Sequence, residues 1–459
     1  GKQFNLSQVF AFALVSIFSI VAMVFMYKIA SEIFRLPRWA ALSAPIIFAF
    51  GSSAWSYAIT LYQHHLTVFF FIAGFYAAWR YGRNTQWSWV WGFIPWICYA
   101  AAFTVDYPNL LFLAPMMLYF FYQAWHIKRE TNLWRVGFRS SFVFVSIGFL
   151  MITAWHLNLN STHFGGWQKM AGGITSYRDL DVNSVTNENT TSTSTIDVVT
   201  VTVPTILAPL NSTSTVTTAT TTILSTITVS TTTATSTTYL SMVKTTVITP
   251  KPLKEKNVIG FFSEKRLPFG AYTLLFSTER GLLVFWPLIV LAIAGLYYAF
   301  KNHKHKAEIT TLLGGVIANM FLYFSWGDPW GGWAFGPRYM ILSISILSLF
   351  AVYWMAMTKN IWRRFLVFLL FVYSSAVSLV GALTTNEIPP KVEAVPLGVD
   401  YTFFRNIQYF LDGRSGSFFF NTYADSYLSL QQYGWIIYLT LLLVVVFILF
   451  IIPILKNDN

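Results

Sequence analysis

Apolar residues in this chain come in long blocks separated by short polar joints. A helix needs roughly 20 mainly apolar residues to cross a membrane. The blocks predict about eleven such helices, near residues 6–29, 39–58, 62–79, 88–105, 108–124, 140–157, 281–300, 308–325, 339–357, 364–383 and 434–455. Two joints are tight. The second and third blocks part only around Tyr62 to His65, and the fourth and fifth only at Asp106-Tyr107-Pro108, where the residue ahead of a proline is pushed out of the helical region. The expected fold is therefore an all-α polytopic membrane protein. Its parts are six transmembrane helices over 1–160, an external loop over 161–275, four more helices over 276–383, an external cap segment over 384–433, and a last helix with a short cytoplasmic tail over 434–459.

Composition agrees. Of 459 residues 55% are hydrophobic and only 10% charged, where a soluble domain carries about 25% charged residues, so a water-soluble enzyme is excluded. The net charge of +12 could suggest a nucleic-acid partner, but its distribution decides otherwise. If the blocks alternate across the membrane, one side collects Lys28, Arg35, Arg38, Arg80, Arg83, Lys128, Arg129, Arg135, Arg139, Lys301, Lys304, Lys306, Lys359, Arg363, Arg364 and Lys456. These 16 basic residues face only Glu32, Glu130, Glu308 and Asp458, which leaves +12 there, while 14 basic and 14 acidic residues balance on the other side. Excess Lys and Arg in short loops marks the cytoplasm. The expected location is thus an integral plasma-membrane protein with its N-terminus and long loops outside, its C-terminus inside and no nucleic acid bound.

The N-x-[ST] acceptor sites for N-glycosylation, at Asn5, Asn160, Asn189 and Asn211, all fall on the external side in this topology, where such sites are used. The loop over 161–275 holds a tract, about residues 190–249, dominated by Ser and Thr and nearly free of charge. It reads as a glycan-bearing stalk, or alternatively as a small β domain, since Thr, Val and Ile are also strand formers. The single cysteine, Cys98, lies in an apolar block, so no disulfide framework or thiolate metal site forms within one chain.

Ionisable residues at the edge of a membrane bundle are costly and mark function by default. Here they gather at the external ends of the blocks: His64, His65, Asp106, Glu279, Arg280, Asp328 and Arg338. Each has a plain alternative. Asp106 can cap the following helix, the histidines can serve as interfacial hydrogen-bonding groups, Glu279 can pair locally with Arg280, and Asp328 can brace Arg338. The richest stretch is Trp326-Gly327-Asp328-Pro329-Trp330-Gly331-Gly332-Trp333-Ala334-Phe335-Gly336-Pro337-Arg338-Tyr339. Its glycines let backbone approach a ligand, its tryptophans suit a sugar face or the interfacial belt, and a guanidinium offers a fork for phosphate oxygens. A metal set is not evident, although Asp106 and Asp328 could join a divalent cation.

The stretch WGDPWGGWAFGPRYM resembles the signature of multi-spanning GT-C glycosyltransferases related to the protein O-mannosyltransferases. FGSSAWSYAITLYQHHL, FTVDYPNLLFL and TERGLLVFWPLIVLAIAGL resemble its neighbours in that family, in the expected order. The resemblance implies a GT-C-like bundle and transfer of a sugar from a polyprenyl-phosphate donor, a membrane lipid, to an external protein or glycolipid acceptor. It further implies Arg280 and Arg338 at the donor phosphate; such chemistry needs a carboxylate base, for which Asp106 and Asp328 are this chain's candidates, with His64, His65, Trp330, Trp333 and Tyr339 as candidates lining the substrate. One departure stands out: family members usually carry the catalytic acid in a first external loop, and this chain starts after the place of that loop. A non-catalytic GT-C-like scaffold displaying the Thr-rich stalk in a cell-envelope assembly is the main rival reading. A transporter ranks below it, because no polar set sits near the bilayer midplane.

Overall fold

A computed structural model describes residues 2–60, 62–83, 87–130, 133–164, 166–167, 262–302, 304–357 and 360–455. The Thr-rich tract, with Asn189 and Asn211, lies outside the described residues. The first helices are α1 (Lys2–Lys28), α2 (Arg38–Phe50), α3 (Ala54–Ala58), α4 (His64–Gly82), α5 (Ser88–Val105) and α6 (Asn109–Ala124). An antiparallel hairpin of β1 (Trp125–Glu130) and β2 (Leu133–Phe138) follows, its register running from Trp125 opposite Phe138 to Glu130 opposite Leu133. This hairpin is the departure from an all-α chain. Then come α7 (Ser140–Val145), α8 (Ile147–Phe164), α9 (Leu267–Leu275), α10 (Leu282–Phe285), α11 (Ile289–Asn302), α12 (Lys306–Phe324), α13 (Ile341–Ala356) and α14 (Ile361–Leu383). The last group is α15 (Lys391–Ala394), α16 (Phe404–Leu411), α17 (Leu430–Val446) and α18 (Ile452–Leu455).

Every predicted block reappears as helix, but not every one as an uninterrupted span. Among the described residues seven stretches are long and apolar enough to cross a membrane: Ala13–Ile33, Ser88–Val105, Ser141–His163, Lys306–Phe324, Arg338–Ala356, Ile361–Leu383 and Leu430–Leu455. Arg38–Phe50, Asn109–Ala124 and Ile289–Asn302 are apolar but shorter. The shortening has local causes: Gly51-Ser52-Ser53 ends α2, Pro108 stands ahead of α6, and Trp286-Pro287 separates α10 from α11. His64–Gly82 belongs to neither set, since it opens on two histidines and holds Arg80 in its last turn.

The outward faces of the long helices suit lipid. Ile17, Ile20 and Val24 on α1, Leu150, Met151 and Trp155 on α8, and Leu439 and Leu443 on α17 are all exposed, a surface that water would penalise at about 25 cal/mol per Å². Inside, α4 packs against α1, α5, α6 and α13, and α13 is buried over nearly its whole length. Its serines are not orphaned: Ser345 and Ser348 donate to the carbonyls of Leu342 and Ile344, and Ser343 donates to Asn319. Gly295 lets α11 lie against α13, because a β-carbon there would come 1.8 Å from the Phe350 carbonyl oxygen.

The charges sort to opposite ends. At one end Glu32 accepts from Tyr76 at 2.7 Å and lies 3.6 Å from Arg80 and 3.4 Å from Lys28. Arg83, Arg139, Arg363 and Arg364 lie over aromatic rings. The opposite ends of the same helices carry the candidate site.

Candidate functional site

The loop of residues 326–339 joins α12 to α13. Gly331, Gly332 and Gly336 have φ of 72°, 62° and 62°, the left-handed region that favours glycine. A chain so folded turns its carbonyls away from regular partners, so a donor must come from elsewhere. Arg280 supplies it. Only 1% exposed, it donates from Nε to Trp330 at 2.9 Å, from Nη1 to its neighbour Glu279 at 2.9 Å, and from Nη2 to Gly332 at 3.2 Å and Ile388 at 2.8 Å, all of them backbone carbonyls. Tyr57 pins the loop from the other side: its hydroxyl accepts from the Phe335 amide at 2.8 Å and donates to the Phe335 carbonyl at 3.2 Å. The segment after α14 completes the frame. The Ala334 amide donates to the Ile388 carbonyl, Glu279 accepts from the Lys391 amide, and Trp333 donates to Glu393.

Beneath this frame lies a cavity of about 190 Å³ walled by Tyr62, Gln63, His64, Asp106, Pro108, Tyr323, Trp326, Arg338 and Tyr339. The residues come from three places in the chain. Asp106 sits where α5 stops, held by Gln63, whose amide donates to its carboxylate at 3.2 Å. Asn109 fixes that turn, donating to the Ala102 carbonyl and accepting from Thr67 on α4. Burial pushes the Asp106 carboxyl above the usual carboxylate range, and the bonds from Gln63 and the Tyr107 backbone pull it partway back. Tyr323 and Tyr339 stack at 4.1 Å and 8°, and Asn319 donates to the Tyr339 carbonyl.

Arg338 lies over Tyr62 at 4.7 Å and Tyr339 at 5.4 Å, and its Nε is buried without a hydrogen-bond partner. The side chain also hydrogen-bonds Tyr339, and the ring faces attract its charge but leave the Nε–H unpaired, a buried donor that costs on the order of 1–3 kcal/mol. No ion pair among the described residues joins Asp328 to Arg338. His64 is buried in a ring of Tyr57, Tyr62 and Tyr339, and its imidazole makes no hydrogen bond among the described residues.

Of the residues expected from sequence, Asp106, His64, Arg338 and Tyr339 meet in this cavity. Others do not. His65 faces away from it: its Nε2–H donates to the Ala54 carbonyl at 2.8 Å, so its Nδ1 accepts from Ser19 at 2.9 Å. Arg280 has the part of a brace, with its donors engaged by carbonyls. Asp328, Trp330 and Trp333 belong to the loop but not to the cavity wall, and Trp330 meets Phe269 edge-on. Asn160 is buried and 3.3 Å from His156, inside α8, a setting closed to a glycan. Asn5 lies within α1. Tyr62, Gln63, Tyr323 and Trp326 are wall residues that sequence reading missed. Tyr62 and Gln63 immediately precede His64 in the YQHHL stretch, and Tyr323 and Trp326 flank the start of the Gly/Trp-rich loop, so position was the available signal. Among the described residues no group of three or more His, Cys, Asp or Glu is placed to hold a metal ion.

No protein-family model, curated protein or solved structure matches this chain.

Proposed function

We propose that this chain is a membrane glycosyltransferase that moves a sugar from a polyprenyl-phosphate donor to an external protein or lipid acceptor of the cell envelope. One observation carries the reading: the stretches around residues 62–64, 106–108 and 323–339, far apart in sequence, line one polar and aromatic cavity, and Arg280 of a fourth stretch braces its loop. All four are the stretches that resemble GT-C enzymes. A cavity of about 190 Å³ falls below the roughly 300–1,000 Å³ of drug-sized sites and suits a head group whose lipid tail stays outside.

In the proposed reaction an acceptor hydroxyl oxygen attacks the anomeric carbon while the bond from that carbon to the phosphate oxygen breaks, with inversion. The leaving polyprenyl phosphate keeps the bonding electrons, and Arg338 holds its charge through its guanidinium. The Asp106 carboxylate takes the hydroxyl proton. Aromatic walls face the apolar side of the sugar ring. The site end of the bundle is external in this reading and the end carrying Glu32 and Arg80 is cytoplasmic, in keeping with the charge asymmetry.

The test is an assay in proteoliposomes with polyprenyl-phosphate hexose carrying a labelled sugar. Label should leave the lipid with the native chain, and should not with Asp106→Asn or Arg338→Ala of unchanged thermal midpoint. A chelator arm reports whether a divalent cation takes part. If neither turnover nor donor binding is seen with the native chain, the scaffold reading replaces this one.

A further inference from the structure

A second surface on the site side of the bundle carries its own signal, independent of the proposed reaction. Helix α16 and the segment after it, to residue 427, expose Phe404, Leu411, Phe418, Phe419, Tyr423 and Tyr427, with Phe418 73% and Tyr427 84% accessible. Soluble surfaces rarely leave so many large apolar groups together. The segment is not loosely held. Asn406, fully buried, donates to Thr384 at 2.9 Å and to the Thr385 carbonyl at 2.6 Å, where α14 ends. Ser415 and the Gly416 amide donate to the Leu383 carbonyl, in the last turn of α14. At the other side Gln431, in the first turn of α17, donates to the Phe410 and Leu411 carbonyls at 2.8 and 2.9 Å. Phe420 anchors the middle in a core with Leu379, Leu383 and Leu430.

These bonds fix the level of the segment. Both helices it is tied to, α14 and α17, belong to stretches long and apolar enough to cross a membrane, and the ties are at their ends. The exposed rings therefore lie at the plane where those helices leave the hydrocarbon, continuous with the exposed face of α17 at Trp435, Ile436, Leu439 and Leu443. Aromatic side chains favour that plane, and amphipathic helices lie in it. The nearby cations are tied within the segment: Arg405 donates from Nε and Nη2 to the Tyr409 hydroxyl at 3.1 and 2.9 Å, and Arg414 lies 3.7 Å from Asp412.

We propose that residues 404–427 form an interfacial foot seated in the leaflet on the site side, with its exposed rings among the lipid acyl ends. Cys98 is buried, so spin labels can be directed to Phe419→Cys and Tyr427→Cys, with Leu443→Cys as the lipid reference and Asp400→Cys as the water reference. The chain is placed one copy per phosphatidylcholine–phosphatidylglycerol nanodisc, and collision rates with oxygen and a water-soluble nickel chelate are compared. The expected oxygen-to-nickel ratio at Phe419→Cys and Tyr427→Cys is several times that at Asp400→Cys and approaches that at Leu443→Cys. Ratios equal to the Asp400→Cys value overturn the proposal. So do ratios that rise only when several copies share a disc, which would assign the face to a second copy.

Discussion

A β-carbon on Gly331 would lie 2.8 Å from Arg338 Nε and 3.2 Å from the Tyr339 ring. The glycine that turns the loop is thus also the floor against which the guanidinium rests. Gly331→Ala meets both demands badly: the left-handed φ of 72° costs a side-chain-bearing residue roughly 1–2 kcal/mol, and the methyl group displaces Arg338. Donor-lipid binding should fall at least as far as in Arg338→Ala, while far-ultraviolet circular dichroism keeps its helical signal. Binding at the native level would show that Arg338 tolerates displacement and does not contact the ligand.

The two arginines expected at the phosphate should behave differently. Arg280→Met strips donors from four backbone carbonyls and should lower folding stability by on the order of 3 kcal/mol, seen as a lower thermal midpoint. Arg338→Ala should leave the midpoint near native and weaken donor binding by about 2–5 kcal/mol, roughly thirtyfold or more. Arg338→Lys should restore only part, since a point charge lacks the guanidinium fork. Asp328→Ala should leave binding unchanged. A fall in midpoint for Asp328→Ala equal to that for Arg338→Ala would revive the structural brace.

The helical membrane architecture was legible because apolar blocks of this length admit little else, and the positions of the helices followed. Their continuity was not: Gly51 cuts the second block, a break the average hydropathy of the block hides. The membership of the candidate cavity was legible only in part. His64 and His65 are adjacent, yet neighbouring positions on a helix point about 100° apart, so one meets the cavity and the other Ser19 and Ala54. Nothing local says which. Arg280 looked like a ligand-binding residue because the carbonyls that engage it come from residues 279, 330, 332 and 388, partners that only the folded chain assembles.

Sidedness is open to a direct measurement. The whole +12 surplus falls on one side of the predicted topology, so a cysteine at Ser236 should react with an impermeant reagent added outside intact cells, and one at His303 only after lysis. The reverse pattern would place the cavity on the cytoplasmic side and remove the external acceptor from the proposed reaction.

The pH dependence tests Asp106. Burial raises its carboxyl above the ordinary value near 3.9, and the Gln63 amide, which favours the ionised form, holds it partly down. If the carboxylate is the proton acceptor, the transfer rate falls as pH drops through this raised value, so the acid limb sits above that of a free aspartate. Gln63→Leu removes a stabilising donor and should move the limb to still higher pH, whereas Asp106→Asn should be slow at every pH with no limb. Stability runs the opposite way. A group whose folded pKa exceeds its unfolded one stabilises the fold fully below the unfolded value and loses that contribution as pH rises through the folded value. The native chain should therefore lose thermal midpoint across that window relative to Asp106→Asn. An acid limb that stays in place in Gln63→Leu, with stability still responding as described, would mean that Asp106 titrates in the cavity wall without taking the proton.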